Sequence, residues 1–132
     1  MKTLYSFLFV LISFVSCQSQ NKSPELIAPE AFSKRIEKGN VQLVDVRTPK
    51  EYKQGHLKGA KNVHLYDQDF TDRINKLDKT KPVYVYCKAG GRSAEAVEIM
   101  QSQGFKNIIE LKGGTDSGQK PAYLWSNNYC MV

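Results

Sequence analysis

Val83-Tyr84-Val85-Tyr86-Cys87-Lys88-Ala89-Gly90-Gly91-Arg92-Ser93 decides how the rest of the chain is read. The β-branched and aromatic residues ahead of Cys87 favour an extended strand, and Lys79-Thr80-Lys81-Pro82 marks the turn before it. From Ser93 to Gln103 the pattern is helical, with Ala94, Val97 and Met100 expected inward and Gly104 as the stop. Strand, glycine loop and helix start together make an anion cradle. Gly90 and Gly91 let the backbone turn with positive φ so that successive N–H groups converge. The helix N-terminus adds its own unpaired N–H groups and the positive end of its dipole. Lys88 and Arg92 add charge. A thiol at the mouth of such a loop is expected to ionise readily, because the thiolate is the form that this field favours. The plainer alternative is a buried structural thiol at a strand end, which leaves the glycines and the flanking basic residues without a role.

Working outward, strand and helix signals alternate, as in an α/β domain with a mainly parallel sheet. Ala28-Pro29 opens a helix with Phe32 and Ile36 on one face, closed by Gly39. Val41 to Val46 reads as a strand, and Thr48-Pro49-Lys50-Glu51 as a capping box with proline at the first helical position. A weak strand is expected from Lys61 to His64. Phe70, Ile74 and Leu77 form one apolar stripe, and Ile108 to Leu111 is the last clear strand. Asp45 and Arg47, at a Val-Asp-Val-Arg strand end, are expected to form an ion-pair network that supports the loop. Glu51 is expected at the third position of the capped helix. His56 and His64 have no Cys or Asp cluster beside them, so no metal site is expected.

The first residues follow a different logic. Lys2, the apolar run Leu4 to Val15 and Ser16-Cys17 have the layout of an export signal, too short for a membrane span of about 20 apolar residues. Cys17 after Val15-Ser16 resembles the lipobox of bacterial lipoproteins, with Phe14 where leucine is usual. That resemblance implies export, lipidation of Cys17 and a membrane anchor at the cell envelope, in the periplasm. Residues 1–17 are then a signal peptide, 18–23 a polar tether and 24–132 the folded domain. The 132-residue chain has room for one domain and little more. Its net charge of +6 comes from scattered lysines rather than a basic block, which argues against a nucleic-acid partner. Nothing in the spacing of Cys87 and Cys130 demands a disulfide.

Cys87-Lys88-Ala89-Gly90-Gly91-Arg92-Ser93 resembles the active-site loop of rhodanese domains: a Cys, four residues, then Arg and Ser or Thr. A second motif agrees: Leu43-Val44-Asp45-Val46-Arg47, Glu51-Tyr52, Gly55-His56-Leu57, Gly59-Ala60 and Asn62-Val63 match the family's N-terminal signature. The likeness runs from about residue 26 to 114, and it implies a rhodanese-like α/β fold, a mainly parallel sheet with helices on both faces. It implies Cys87 as nucleophile with Arg92 as catalytic partner, and Lys88, Ala89, Gly90, Gly91 and Ser93 as the substrate-binding loop. Asp45, Arg47 and Glu51 are its supports. The implied reaction moves sulfane sulfur, as in thiosulfate, through a Cys87 persulfide to a small thiophile or a partner protein's thiol, without metal or organic cofactor. Two departures stand out. His64 stands where the family commonly has proline, and Thr115 to Pro121 separates Gly113-Gly114 from Ala122-Tyr123-Leu124-Trp125, where a helix ending in Trp is usual. Either the turn carries an insertion near the site or the last helix is rebuilt; Tyr123, Leu124 and Trp125 are expected as packing.

Two other functions compete. Cysteine phosphatases and arsenate reductases also use a Cys-loop-Arg cradle, but place five residues in it, while Cys87 and Arg92 enclose four. A non-catalytic rhodanese-like module that binds sulfur or a partner is the other alternative; the presence of both Cys87 and Arg92 argues against it.

Overall fold

The computed structural model describes residues 22–117 and 125–126. The expected signal, Cys17, Tyr123, Leu124 and Cys130 lie outside them. Among the described residues no helix is long and apolar enough to cross a membrane.

The strands are β1 (Glu25–Ile27), β2 (Gln42–Asp45), β3 (His56–Leu57), β4 (Lys61–Asn62), β5 (Val83–Tyr86), β6 (Ile108–Leu111) and β7 (Trp125–Ser126). The helices are α1 (Pro29–Ile36), α2 (Pro49–Lys53), α3 (Phe70–Ile74) and α4 (Gly91–Ser102). Five strands form one parallel sheet in the order β1-β6-β5-β2-β4. Every residue of β5 and β6 is buried. That is the expected state of inner parallel strands covered on both faces, and it explains why Val83 to Tyr86 reads as a continuous apolar run rather than an alternation.

Alternate side chains serve the two faces. Val44, Val83, Val85 and Ile108 pack with Phe70, Ile74, Val97 and Met100 from α3 and α4. Leu43, Tyr84, Ile109 and Leu111 pack with Phe32 and Ile36 of α1. Phe32 meets Tyr84 edge to face, with ring centres 5.5 Å apart. The capping box at α2 forms as the sequence predicts: the Glu51 N–H donates to Thr48 Oγ1, and the Thr48 N–H donates back to Glu51 Oε2. α1 begins at Pro29 and its exit turns through Gly39 at φ +71°.

Several expectations need correcting. The inward face of α4 is Ser93, Ala96, Val97 and Met100; Ala94 faces solvent, because the buried stripe runs at i, i+3, i+4 and i+7 from Ser93 and leaves Ala94 about 100° off it. β4 is two residues long, although the Val63 N–H and Leu65 N–H continue to bond the Asp45 and Val46 carbonyls along β2, past His64. β1 was not foreseen and extends the sheet beside β6. Beyond Gly113 the chain makes a 3₁₀ turn, Gly114–Asp116, and the backbone at Trp125 is extended, antiparallel to β3, which fits a rebuilt ending rather than the family's usual helix.

Candidate active site

Cys87 follows the last residue of β5, at the carboxyl end of the sheet, where open α/β sheets place their ligands. It is a free thiol, 1% exposed. The loop then rises through Lys88 and Ala89, both exposed, to Gly90, which caps α4 in a left-handed conformation at φ +103°. A side chain would resist that φ. The result is that the Gly90 N–H points back to Cys87 Sγ at 3.0 Å. Gly91 and Arg92 open the helix, and Ser93 is fully buried beneath it, its Oγ accepting from the Cys87 thiol at 3.4 Å.

The loop rests on the 3₁₀ turn. The Thr115 N–H donates to the Cys87 carbonyl at 2.9 Å and the Asp116 N–H to the Lys88 carbonyl at 2.8 Å. This approach is so close that a Cβ on Gly114, at φ +61°, would lie 2.5 Å from the Cys87 and Lys88 backbone. The glycine pair at 113–114 is therefore a floor for the sulfur loop as well as a turn. The sequence signal was the pair itself; its purpose became visible only with the loop above it.

Arg92 is paired across the site. Its guanidinium forms a bidentate pair with Glu51, Nη1 to Oε2 at 2.7 Å and Nη2 to Oε1 at 2.8 Å. The charge that Arg92 adds at the loop is thus shared with a carboxylate on α2. The Arg92 pair, followed by the Thr48 hydroxyl and N–H, holds the Glu51 carboxyl down at about 2 despite partial burial. Glu51 is thus both the cap of α2 and the tie between α2 and the start of α4. Lys88 forms no ion pair among the described residues.

Asp45 and Arg47 meet as predicted. Arg47 Nη2 lies 2.6 Å from Asp45 Oδ2 and its Nε 2.9 Å from Oδ1, with both residues buried. Burial opposes the Arg47 charge most strongly, but the Asp45 hydrogen bonds and the nearby acidic groups together outweigh it, so the guanidinium is held above its ordinary range. Arg47 also donates to the Gly55 carbonyl, lies over the Tyr86 ring, and has its own carbonyl bound by Asn62 Nδ2. Together these fix the segment 45–62 against β5. Arg47, Glu51, Gly55, Lys88, Thr115 and Asp116 line an open recess of about 240 Å³ beside the loop. The two histidines are engaged separately: His56 Nδ1 donates to the Tyr52 carbonyl and His64 Nδ1 bonds Asp67.

One residue escaped sequence reasoning. Glu110, on β6, is 8% exposed, and its Oε1 lies 2.6 Å from Ser93 Oγ. Burial pushes its carboxyl above the ordinary range, against a smaller lowering by Ser93.

A parallel sheet with helices on both faces, carrying a cysteine-led amide loop at its carboxyl end, defines the structural class. The rhodanese-like domain family matches residues 28–120, and the chain belongs to that family. A thiosulfate sulfurtransferase of Pseudomonas paraeruginosa is 31% identical over 78% of this chain and 84% of its own length. A tRNA uridine(34) hydroxylase of Pelagibacter ubique is 34% identical over 89% of this chain, which spans only 40% of that longer relative. Among solved structures, a rhodanese-related protein of Thermoplasma volcanium superposes with TM-score 0.66 at 25% identity, covering 78% of this chain and 98% of its own.

Proposed function

We propose that the protein is a sulfurtransferase that carries sulfane sulfur as a persulfide on Cys87. The observation that carries this reading is the Gly90 N–H held 3.0 Å from Cys87 Sγ by a four-residue loop, an amide placed to stabilise negative charge on sulfur. The likeness to a relative named thiosulfate sulfurtransferase supports thiosulfate as a donor. In the first half-reaction the Cys87 thiolate attacks the outer sulfur of thiosulfate; the new S–S bond forms as the old one breaks, and sulfite leaves with its electron pair. In the second, an acceptor thiolate or other thiophile attacks the terminal sulfur and Cys87 departs as thiolate. The loop amides hold the charge in both steps. Lys88 lies beside the recess where the oxyanion end of a donor would sit, and Arg92 fastens the helix start through Glu51.

The lipobox-like Cys17 supports a second element of the proposal: a lipid anchor that keeps this chemistry at a membrane surface in the periplasm. A small sulfur donor and a protein or low-molecular-weight thiol acceptor suit such a position.

The direct test is intact mass after incubation with thiosulfate. Wild type should gain one sulfur atom, removable by dithiothreitol, and Cys87→Ser should gain none. Equal sulfur uptake by Cys87→Ser would place the chemistry elsewhere.

A further inference from the structure

Beneath the loop lies a carboxyl group that the proposed reaction does not use. Glu110 sits on an inner strand, opposite Val85 of β5 and Leu26 of β1, neither of which can ionise. From α4 only Ser93 reaches it, and no ion pair involves it among the described residues. A buried carboxyl with a single hydroxyl partner is costly to keep, so its place needs an explanation.

The hydroxyl it touches has one proton and three neighbours. Ser93 Oγ is 2.6 Å from Glu110 Oε1, 3.0 Å from the Gly90 carbonyl and 3.4 Å from Cys87 Sγ. One arrangement has the thiol donating to Ser93 Oγ while Ser93 donates to a Glu110 carboxylate. The mirror arrangement has a protonated Glu110 donating to Ser93 Oγ while Ser93 turns its proton to a sulfur anion. The two differ only by the passage of protons along the chain.

We propose that Glu110 is the internal acceptor of the Cys87 thiol proton, acting through Ser93. The S–H bond breaks as Ser93 gains that proton and gives its own to Glu110 Oε1. The products are thiolate and carboxylic acid, with one negative charge throughout. Glu110 is in this sense a positioning residue: it sets the direction of the Ser93 hydroxyl and never touches donor or acceptor. The raised carboxyl suits the role, since it brings the affinity of the acid for a proton closer to that of a thiol. Arg92 and Tyr66 interact electrostatically with the sulfur from the loop side, where Lys88 also stands next to Cys87. This inference rests on Cys87 being the reactive sulfur of the proposed transfer.

The test is the rate of Cys87 alkylation by iodoacetamide against pH, read by peptide mass, in wild type, Glu110→Gln and Ser93→Ala. Only thiolate reacts. A pair that shares one proton holds a fixed fraction as thiolate between its two deprotonations, whatever the pH there. Wild type should therefore rise in two steps separated by a plateau. Glu110→Gln, which keeps shape and hydrogen bonding but accepts no proton, should rise in one step and lose rate about tenfold per pH unit below it. Ser93→Ala keeps the carboxyl but cuts the chain, and should also give one step. Superimposable one-step profiles for wild type and Glu110→Gln would overturn the proposal, as would two steps surviving in Ser93→Ala. Sulfur uptake from thiosulfate on the same samples separates the two ideas. A two-step wild type that takes no sulfur rejects the transfer function alone, and a one-step wild type that takes sulfur rejects the relay alone.

Discussion

Glu51 Oε2 accepts from the Thr48 hydroxyl at 2.8 Å and from the Thr48 N–H at 3.0 Å, while Arg92 takes both carboxylate oxygens. Bonds of this kind to a charged group contribute about 1.5–3 kcal/mol each when the geometry is good. Their stabilisation has a pH window. The Glu51 carboxyl falls from its ordinary 4.5 to about 2 in the folded protein, so its contribution is complete above about 4.5 and lost as pH falls towards 2. Glu51→Gln should cost about 1–3 kcal/mol at neutral pH and show a flatter acid limb than wild type. Urea midpoints at pH 7 and pH 3 measure both, and an equal acid loss in the two proteins would assign that loss to other carboxylates. The capping role was legible from Thr48-Pro49-Lys50-Glu51, because a box is local in sequence. The Arg92 partnership was not, because 41 residues separate the two ends and no local pattern announces it. Glu110 was missed for a related reason. A lone glutamate in Ile108-Ile109-Glu110-Leu111 reads as the solvent-facing position of a strand, whereas both faces of β6 are covered by helices and all four of its residues are buried.

At the scale of elements, the sulfur loop is held between α4 and the 3₁₀ turn below it. Gly114→Ala would drive a methyl group into the Cys87 and Lys88 backbone, so the loop must lift or the turn must open. A loss of about 1–3 kcal/mol is expected, the usual cost of overpacking, together with a large fall in sulfur uptake. Gly91→Ala is the comparison: a Cβ there meets nothing within 4 Å and the backbone is helical, so stability should stay within about 0.5 kcal/mol. Thermal denaturation and intact mass on both variants decide the matter, and a Gly114→Ala protein as stable as Gly91→Ala would refute the floor. Loop size makes a second prediction. Four residues between Cys87 and Arg92 fit a terminal sulfur better than a phosphoryl group, so wild type should show negligible aryl phosphate turnover. One residue inserted between Gly90 and Arg92 should lower sulfur transfer a hundredfold or more, through lost amide contacts worth ~2.7–4 kcal/mol. Efficient phosphate turnover by the unaltered loop would favour the phosphatase reading. Strand β5, the loop and α4 were legible in the sequence because β-formers, paired glycines and a 3.6-residue period follow one another without interruption. The pairing of β3 with β7 was not, since it joins His56 to Ser126 across most of the domain.

For the molecule as a whole, the proposed anchor at Cys17 predicts that wild type partitions with membranes and that Cys17→Ala is released or mislocalised. Fractionation of the two proteins with mass analysis of the mature N-terminus tests it; a soluble wild type retaining residues 1–15 would remove the anchor. A mainly parallel sheet with both faces covered was implied by the family likeness and by alternating elements, but the strand order and β1 were not. Three residues carry too little period to stand out, and Leu26 is exposed although it lies within the strand. That strand has a further consequence. Glu25 is tied to Arg35 and to Lys22, and β1 lies parallel to β6 with Glu25, Leu26 and Ile27 facing Ile109, Glu110 and Leu111. If the chain ahead of residue 22 is fastened to a membrane, tension on it runs along β1 and loads its bonds to β6 in shear, all together rather than one after another. The strand that takes up that pull is the one bearing Glu110 and leading into Gly113 and Gly114. Under such a pull the grip of β1 on β6 would carry the load before the loop's foundation at Gly113 and Gly114 does.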